Sequence, residues 1–218
     1  MSQEQWAAVD RHLSNLFELE DSALERAIEN ARRAGLPDIG VTPPQGMLLH
    51  LLAKACLARS ILEIGTLGGY STIWLARALA PGGRLVTLES DPGHLGVARA
   101  NIANAGLAHL VELRLGQASD TLPTLTGPFD FIFIDADKPS YPAYLDWSLK
   151  LAQRGTVIVA DNVVRQGEIV NDRSDDPRVQ GVREFLVRLA REPRVSASVM
   201  QTVGAKGYDG FAIAVVTP

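Results

Sequence analysis

Three polar clusters in the chain each follow directly on an apolar run: Asp135-Ala-Asp137-Lys138 after "FIFI", Asp161-Asn162 after "GTVIVA", and Glu89 after "RLVTL". Charge delivered at the end of a buried strand is held at a fixed point, as a reaction centre requires. Asp135, Asp161 and the side-chain oxygen of Asn162 offer three oxygen donors. That set suits a hard divalent ion, Mg²⁺ first and Mn²⁺ or Ca²⁺ after it, whereas Zn²⁺ would call for His or Cys, which no strand exit supplies. Asp and Asn are also the common punctuation of turns and helix caps, so it is the two clusters together, on strands expected to be neighbours, that point to ligation. Beside such an ion the ammonium of Lys138 is disfavoured, which would leave a neutral amine able to accept a proton. Asp137 faces the other way along the chain and is read as structural, capping or pairing.

A glycine turn supplies the second kind of chemistry. In "LEIGTLGGYS", Gly65, Gly68 and Gly69 let backbone approach a ligand, Glu63 precedes them, and Ser71 is placed to cap the following helix. Glu89, one strand-helix unit later, can accept hydrogen bonds from both hydroxyls of a ribose. The third exit, Gly116-Gln-Ala118-Ser119-Asp120, offers small side chains to flank an adenine. The order Gly-x-x-Gly-Gly is not the dinucleotide fingerprint, which weakens an NAD reading. A glycine turn alone is equally a tight strand-to-helix connection; with Glu63 and Glu89 it points to a nucleoside-bearing cofactor.

The elements that carry these residues alternate regularly. Strands are expected at "SILEI", "RLVTLES", "VELRL", "FDFIFIDA" and "GTVIVAD", with helices near 71–80, 92–105, 118–125, 140–152 and 177–192 between and after them. Near-continuous apolar strands joined by helices imply a parallel sheet covered on both faces, a doubly wound α/β fold with ligands beyond the carboxyl ends of the strands. "VSASVMQTV" and "GFAIAVV", joined by a loop near "GAKGYD", fit an antiparallel hairpin at one edge, giving about seven strands with the last reversed. Residues 4–34 look helical, with Trp6, Val9, Leu13, Leu16 and Phe17 on one stripe and Leu24 and Ile28 on another, stopped by Gly35-Leu-Pro37. A further helical run is expected over about 45–57.

The bulk numbers fit one domain over 1–218, with 1–40 a helical extension and 41–218 the catalytic core: 218 residues, 46% hydrophobic, with neither repeat nor linker. One cysteine, Cys56, no leader segment and no apolar run of the roughly 20 residues that span a bilayer lead to the expectation of a cytoplasmic protein without membrane contact. A formal charge of −4 disfavours nucleic acid as a partner.

Taken together, "LEIGTLGGYS", "DADKPSY", "ADNVVRQG" and "KGYDGFAIAV" resemble, in order and spacing, the cation-dependent O-methyltransferases that use S-adenosylmethionine, typified by catechol and caffeoyl-CoA O-methyltransferases, in their bacterial-type branch. The resemblance covers the chain from about residue 40 onward, and the helical N-terminus also looks like that branch. It implies a Rossmann-like class I methyltransferase sheet, metal binding by Asp135, Asp161 and Asn162, and Lys138 as general base. It also implies cofactor contacts from Val41, Glu63, Gly65, Ser71, Glu89, Ala118 and Asp135, and a homodimer. Leu67 departs from the pattern, lying where the catechol enzyme has an aromatic side chain.

The expected function is therefore methylation of one hydroxyl of a catechol-like or hydroxycinnamoyl acceptor. Methylation of a hydroxylated uridine in transfer RNA is the alternative, served by a basic patch at Arg59, Arg165, Arg173 and Arg178; a nucleotide-binding regulatory module without catalysis is a third reading. His12, His50, His94 and His109 are read as structural or solvated, Cys56 as a buried small hydrophobe, 165–176 as a lid over the acceptor or a solvated loop, and Tyr208 as a lesser candidate for the acceptor pocket.

Overall fold

The computed structural model describes residues 2–217. Five strands, β1 (Ser60–Ile64), β2 (Arg84–Glu89), β3 (Val111–Leu115), β4 (Phe129–Ile134) and β5 (Ala152–Asp161), run parallel, and β6 (Val195–Gly204) and β7 (Gly207–Val216) complete a seven-stranded sheet of order β3-β2-β1-β4-β5-β7-β6. β7 is antiparallel to both its neighbours, so the reversed last strand is present as expected. The connection is tighter than the sequence suggests: Gly204 pairs with Gly207, leaving Ala205 and Lys206 as a two-residue turn.

Strand alternation sorts the core into two faces. Leu62, Ile64, Val86, Leu88, Ile132, Ile134 and Ile158 pack on α7 (Tyr141–Leu151) and α8 (Pro177–Arg191) through Tyr144, Leu145, Phe185 and Leu189. Their neighbours Ile61, Leu85, Phe131, Phe133, Val157 and Val159 point the other way, onto Leu49 and Ala53 of α3 (Pro43–Ala55) and Leu75 and Ala76 of α4 (Tyr70–Ala78). Both faces being buried is why these strands read as unbroken apolar runs. α5 (Pro92–Asn104) and the short α6 (Ala118–Thr121) complete the crossovers.

The N-terminal region divides into two helices, α1 (Gln3–Leu16) and α2 (Ser22–Arg33). Asp21 makes the break: its Oδ1 accepts from the backbone N–H of Ala23 and Leu24, each at 3.1 Å, capping a fresh helix. α2 buries Leu24 and Ala27 against Ile73 and Trp74 of α4 and Ala98 and Ile102 of α5. α1 buries no residue; it is tied to the β6–β7 turn by Gln3 Nε2, donating to the carbonyls of Gly204 and Ala205, and by Asp10 Oδ2, accepting from Ala205 N–H. Among the described residues no helix is long and apolar enough to cross a membrane.

Candidate active site

At the carboxyl ends of β1, β2, β4 and β5 lies a cleft of about 1070 Å³, roofed by α2 and the 36–43 segment. Val41, Gly65, Ser71, Glu89, Ala118, Asp135, Lys138 and Asn162 line it, so most of the residues singled out in the sequence converge on one space. Glu63 and Asp161 do not line the cleft; they lie behind its walls, 0% and 3% exposed.

The glycine turn is shaped by its neighbours as much as by any ligand. Gly65 has φ +103°, and a Cβ there would come within 2.1 Å of the carbonyl oxygen of Asp135, so β1 and β4 leave the sheet in direct contact. Helix α4 is capped by Gly69, at φ 81°, and not by Ser71 as the sequence suggested. Ser71 sits inside the first turn and donates to Oε1 of Glu63 at 2.7 Å; Thr72 and Thr87 donate to Oε2. Burial nevertheless raises the Glu63 carboxyl to about 7. Glu63 thus grips the turn from beneath, through hydroxyl groups.

Glu89 holds the same turn from the other side. Its Oε2 accepts from Leu67 N–H at 2.8 Å and its Oε1 from Asp91 N–H at 2.9 Å. Leu67 has φ 49°, a left-handed conformation that costs a side-chain-bearing residue free energy and persists only where surroundings impose it. His94, read from sequence as structural or solvated, lines the cleft with Nδ1 3.7 Å from Glu89 Oε1. The position of His94 in the first turn of α5, next in line after β2, was the available signal.

The charged half of the β4 exit separates into distinct roles. Lys138 is only 8% exposed; its Nζ donates to Asp135 Oδ1 at 2.8 Å and to the Tyr141 hydroxyl at 2.7 Å. Tyr141 in turn donates to the carbonyl of Asp161 at 2.8 Å, linking the β4 and β5 exits. Burial, with Asp135 and Asp161 nearby, holds this phenol well above its usual range, so it stays a donor. The sequence reading assigned Tyr141 no role; its signal was the three-residue spacing from Lys138. Asp137 accepts from the hydroxyls of Ser140 and Tyr144, the structural role expected of it.

Asp161 is held well above the ordinary carboxyl range by burial and then by the charge of Asp135. Its Oδ1 accepts from Asn162 N–H at 2.7 Å, and Asn162 turns the chain at φ 57°, a conformation Asn tolerates. A buried carboxyl raised by a neighbouring carboxylate, followed in the chain by an amide oxygen, gives a hard, electron-rich donor set, and a divalent cation fits it. Among the described residues there is no group of three or more His, Cys, Asp and Glu gathered as a metal site, so the fit rests on two acids and an amide.

Other expectations meet mixed outcomes. Arg59, hydrogen-bonded through its backbone to Asp130, sits at the amino end of β1, the opposite end of that strand from the cleft, and Arg178 is paired with Asp176. The four arginines therefore do not form one patch. Tyr208 does not line the cleft; its hydroxyl donates to Gln201. Of 165–176, Arg165 alone reaches the cleft wall, the 3₁₀ segment Arg165–Val170 continuing past it. Cys56 is half-buried at the end of α3, its thiol donating to the Ala53 carbonyl.

A parallel sheet with a reversed seventh strand, a glycine turn after β1 and an acid closing β2 beneath a nucleoside-sized cleft define a class I methyltransferase. Within that class the chain belongs to the O-methyltransferase family, whose family model matches residues 14–213. It is 50% identical to a catechol O-methyltransferase of Niastella koreensis over 99% of this chain and 100% of that protein. It is also 51% identical to a catechol O-methyltransferase of Mycobacterium tuberculosis, over 95% of this chain and 94% of that one. The crystal structure of an O-methyltransferase from Bacillus cereus in complex with SAH superposes with a TM-score of 0.97 at 54% identity, covering 99% of this chain and 100% of that chain. The protein is an S-adenosylmethionine-dependent O-methyltransferase.

Proposed function

We propose that this enzyme methylates one of two adjacent hydroxyls on a small phenolic acceptor, with a divalent cation, Mg²⁺ by preference, held by Asp135, Asp161 and Asn162. The observation that carries the reading is the buried Lys138, hydrogen-bonded to Asp135 and Tyr141 at the cleft wall with Asp161 directly behind. The catechol O-methyltransferase names of two half-identical relatives support the acceptor class.

A cation bound there would lower the pKa of a hydroxyl on the acceptor. The chain's own residues supply the rest. Methyl transfer to oxygen requires that the hydroxyl lose its proton, and Lys138 Nζ is the group placed to take it, oriented by Asp135 Oδ1 and the Tyr141 hydroxyl. In the reading proposed here Val41, Gly65, Ser71, Glu89, Ala118 and Asp135 line the cofactor, Glu89 binding the ribose, while Glu63 acts from beneath by fixing Ser71. Holding donor and acceptor in line and away from water is the protein's largest contribution, since the reacting charges neutralise one another. A homodimer is part of the same proposal, supported by exposed apolar side chains at the end of α1 and on its neighbour β6, among them Leu16, the C-cap Phe17, Met200 and Val203.

The test is methyl transfer by the purified protein to catechol and to phenol, each with Mg²⁺ and with excess chelator. Turnover of catechol that chelator abolishes and Mg²⁺ restores is the expected result. Equal methylation of phenol in the presence of chelator overturns the reading.

A further inference from the structure

Beyond Lys138 the cleft wall carries a cation to which the reaction as described gives no task. Arg165 follows Asn162 by three residues, lines the cleft, and has a side chain 23% exposed. Its Nε is buried without a partner, and its guanidinium makes no hydrogen bond to any described residue. The nearest carboxylate oxygen, Oδ2 of Asp209, stands 3.8 Å from Nη1. The other oxygen of Asp209, Oδ1, accepts from the backbone N–H of Val164, Arg165 and Gly210 at 2.9, 2.9 and 3.0 Å and fixes the carboxylate in place.

The backbone that carries this side chain is strained. Arg165 and Gln166 have φ 52° and 56°, two successive side-chain-bearing residues in the left-handed region, pinned by Asp209. Nε is turned into the protein, so what the cleft can meet is the exposed part of the guanidinium, which no described hydrogen bond occupies.

The chemistry of that ligand follows from the surroundings. A planar guanidinium fork matches a carboxylate. Asp209 already faces the guanidinium with a carboxylate oxygen, so what charge remains balances a monoanion better than a phosphate dianion. Arg178, the other arginine next to the Lys138 turn, is committed to Asp176 through Nε and Nη2, and its side chain is 62% exposed.

We propose that Arg165 is the specificity-determining residue for a carboxylate carried by the acceptor, so that the preferred substrates are aromatic acids bearing vicinal hydroxyls. The proposal rests on the vicinal-hydroxyl reading above and narrows it.

The experiment compares kcat/KM for 3,4-dihydroxybenzoate, its methyl ester and catechol, with saturating S-adenosylmethionine and Mg²⁺, in the wild type and in Arg165→Gln and Arg165→Lys. The wild type favours the acid over its ester by roughly 10- to 100-fold, the worth of a charge-assisted hydrogen bond. Arg165→Gln brings that ratio to near unity through KM for the acid, and Arg165→Lys keeps part of the preference. Three results overturn the assignment: an ester as good as the acid in the wild type, an acid-to-ester ratio unchanged in Arg165→Gln, or a rise in KM for S-adenosylmethionine in place of the acid. Turnover of ester and catechol with no preference for the acid leaves the vicinal-hydroxyl reading standing. No turnover of any of the three phenols overturns both.

Discussion

Lys138 shows how little a residue's type says about its state. In sequence it is one of three neighbouring charges; in the fold it is buried, aligned by Asp135 and Tyr141, and separated in function from Asp137, which bonds to Ser140 and Tyr144. Lys138→Met removes the proposed proton acceptor and is expected to lower kcat by ~10²–10⁴. Calorimetric titration with S-adenosylhomocysteine should show nearly unchanged affinity; a parallel loss of binding would mean that Lys138 supports the cleft and does not accept the proton. The acids at the strand exits were legible because a carboxylate after an apolar strand has few uses other than chemistry or capping. Tyr141 was not legible, since only the turn after β4 brings its hydroxyl between Lys138 and the backbone of Asp161.

At the scale of elements, the site depends on close contacts between pieces of backbone. An added Cβ at Gly65 meets the Asp135 carbonyl at 2.1 Å, and one at Gly181 on α8 meets the Lys138 carbonyl at 2.4 Å. Gly65→Ala must also adopt a positive φ, and a loss of ~1–3 kcal/mol in stability is expected from strain of this kind, read by urea denaturation, together with weaker S-adenosylhomocysteine binding. Gly181→Ala presses on the Lys138 turn and not on the glycine turn, so it should lower kcat while leaving cofactor affinity close to wild type. A variant that weakened the cofactor as much as turnover would contradict that division. Strand positions were readable from apolar runs, and "SILEI" and "VELRL" coincide with β1 and β3. The N-terminal helix boundary was less so, because the Asp21 cap sits inside a segment whose apolar spacing stays helical on both sides. The cap of α4 was misassigned for a different reason: Ser71 is drawn inward by Glu63.

For the whole molecule, the buried Glu63 links stability to pH. Its carboxyl lies at about 7 in the fold against an ordinary 4.5, so between those values the folded chain holds a proton that the unfolded chain releases. The resulting stabilisation is complete below about 4.5 and disappears as pH rises through about 7. Glu63→Gln keeps a neutral group among the same hydroxyls, which can rotate to donate or accept. Urea midpoints of the variant and the wild type are expected to diverge as pH goes from 5 to 8, the variant gaining by up to ~3 kcal/mol. Parallel curves would show that Glu63 is ionised in the fold. The sequence by itself determined the parallel sheet, its reversed last strand and the strand exits at which polar groups gather, because those follow from local apolar periodicity and from which side chains interrupt it. Tertiary structure alone decided which of those groups meet. Burial turns Glu63 and Asp161 away from the cleft to act from behind its walls, Arg59 falls at the end of the sheet opposite to Arg165, and the turn after Asn162 leaves the Arg165 guanidinium without a hydrogen bond. Distances across a fold depend on how whole elements pack, and no local run of residues encodes them.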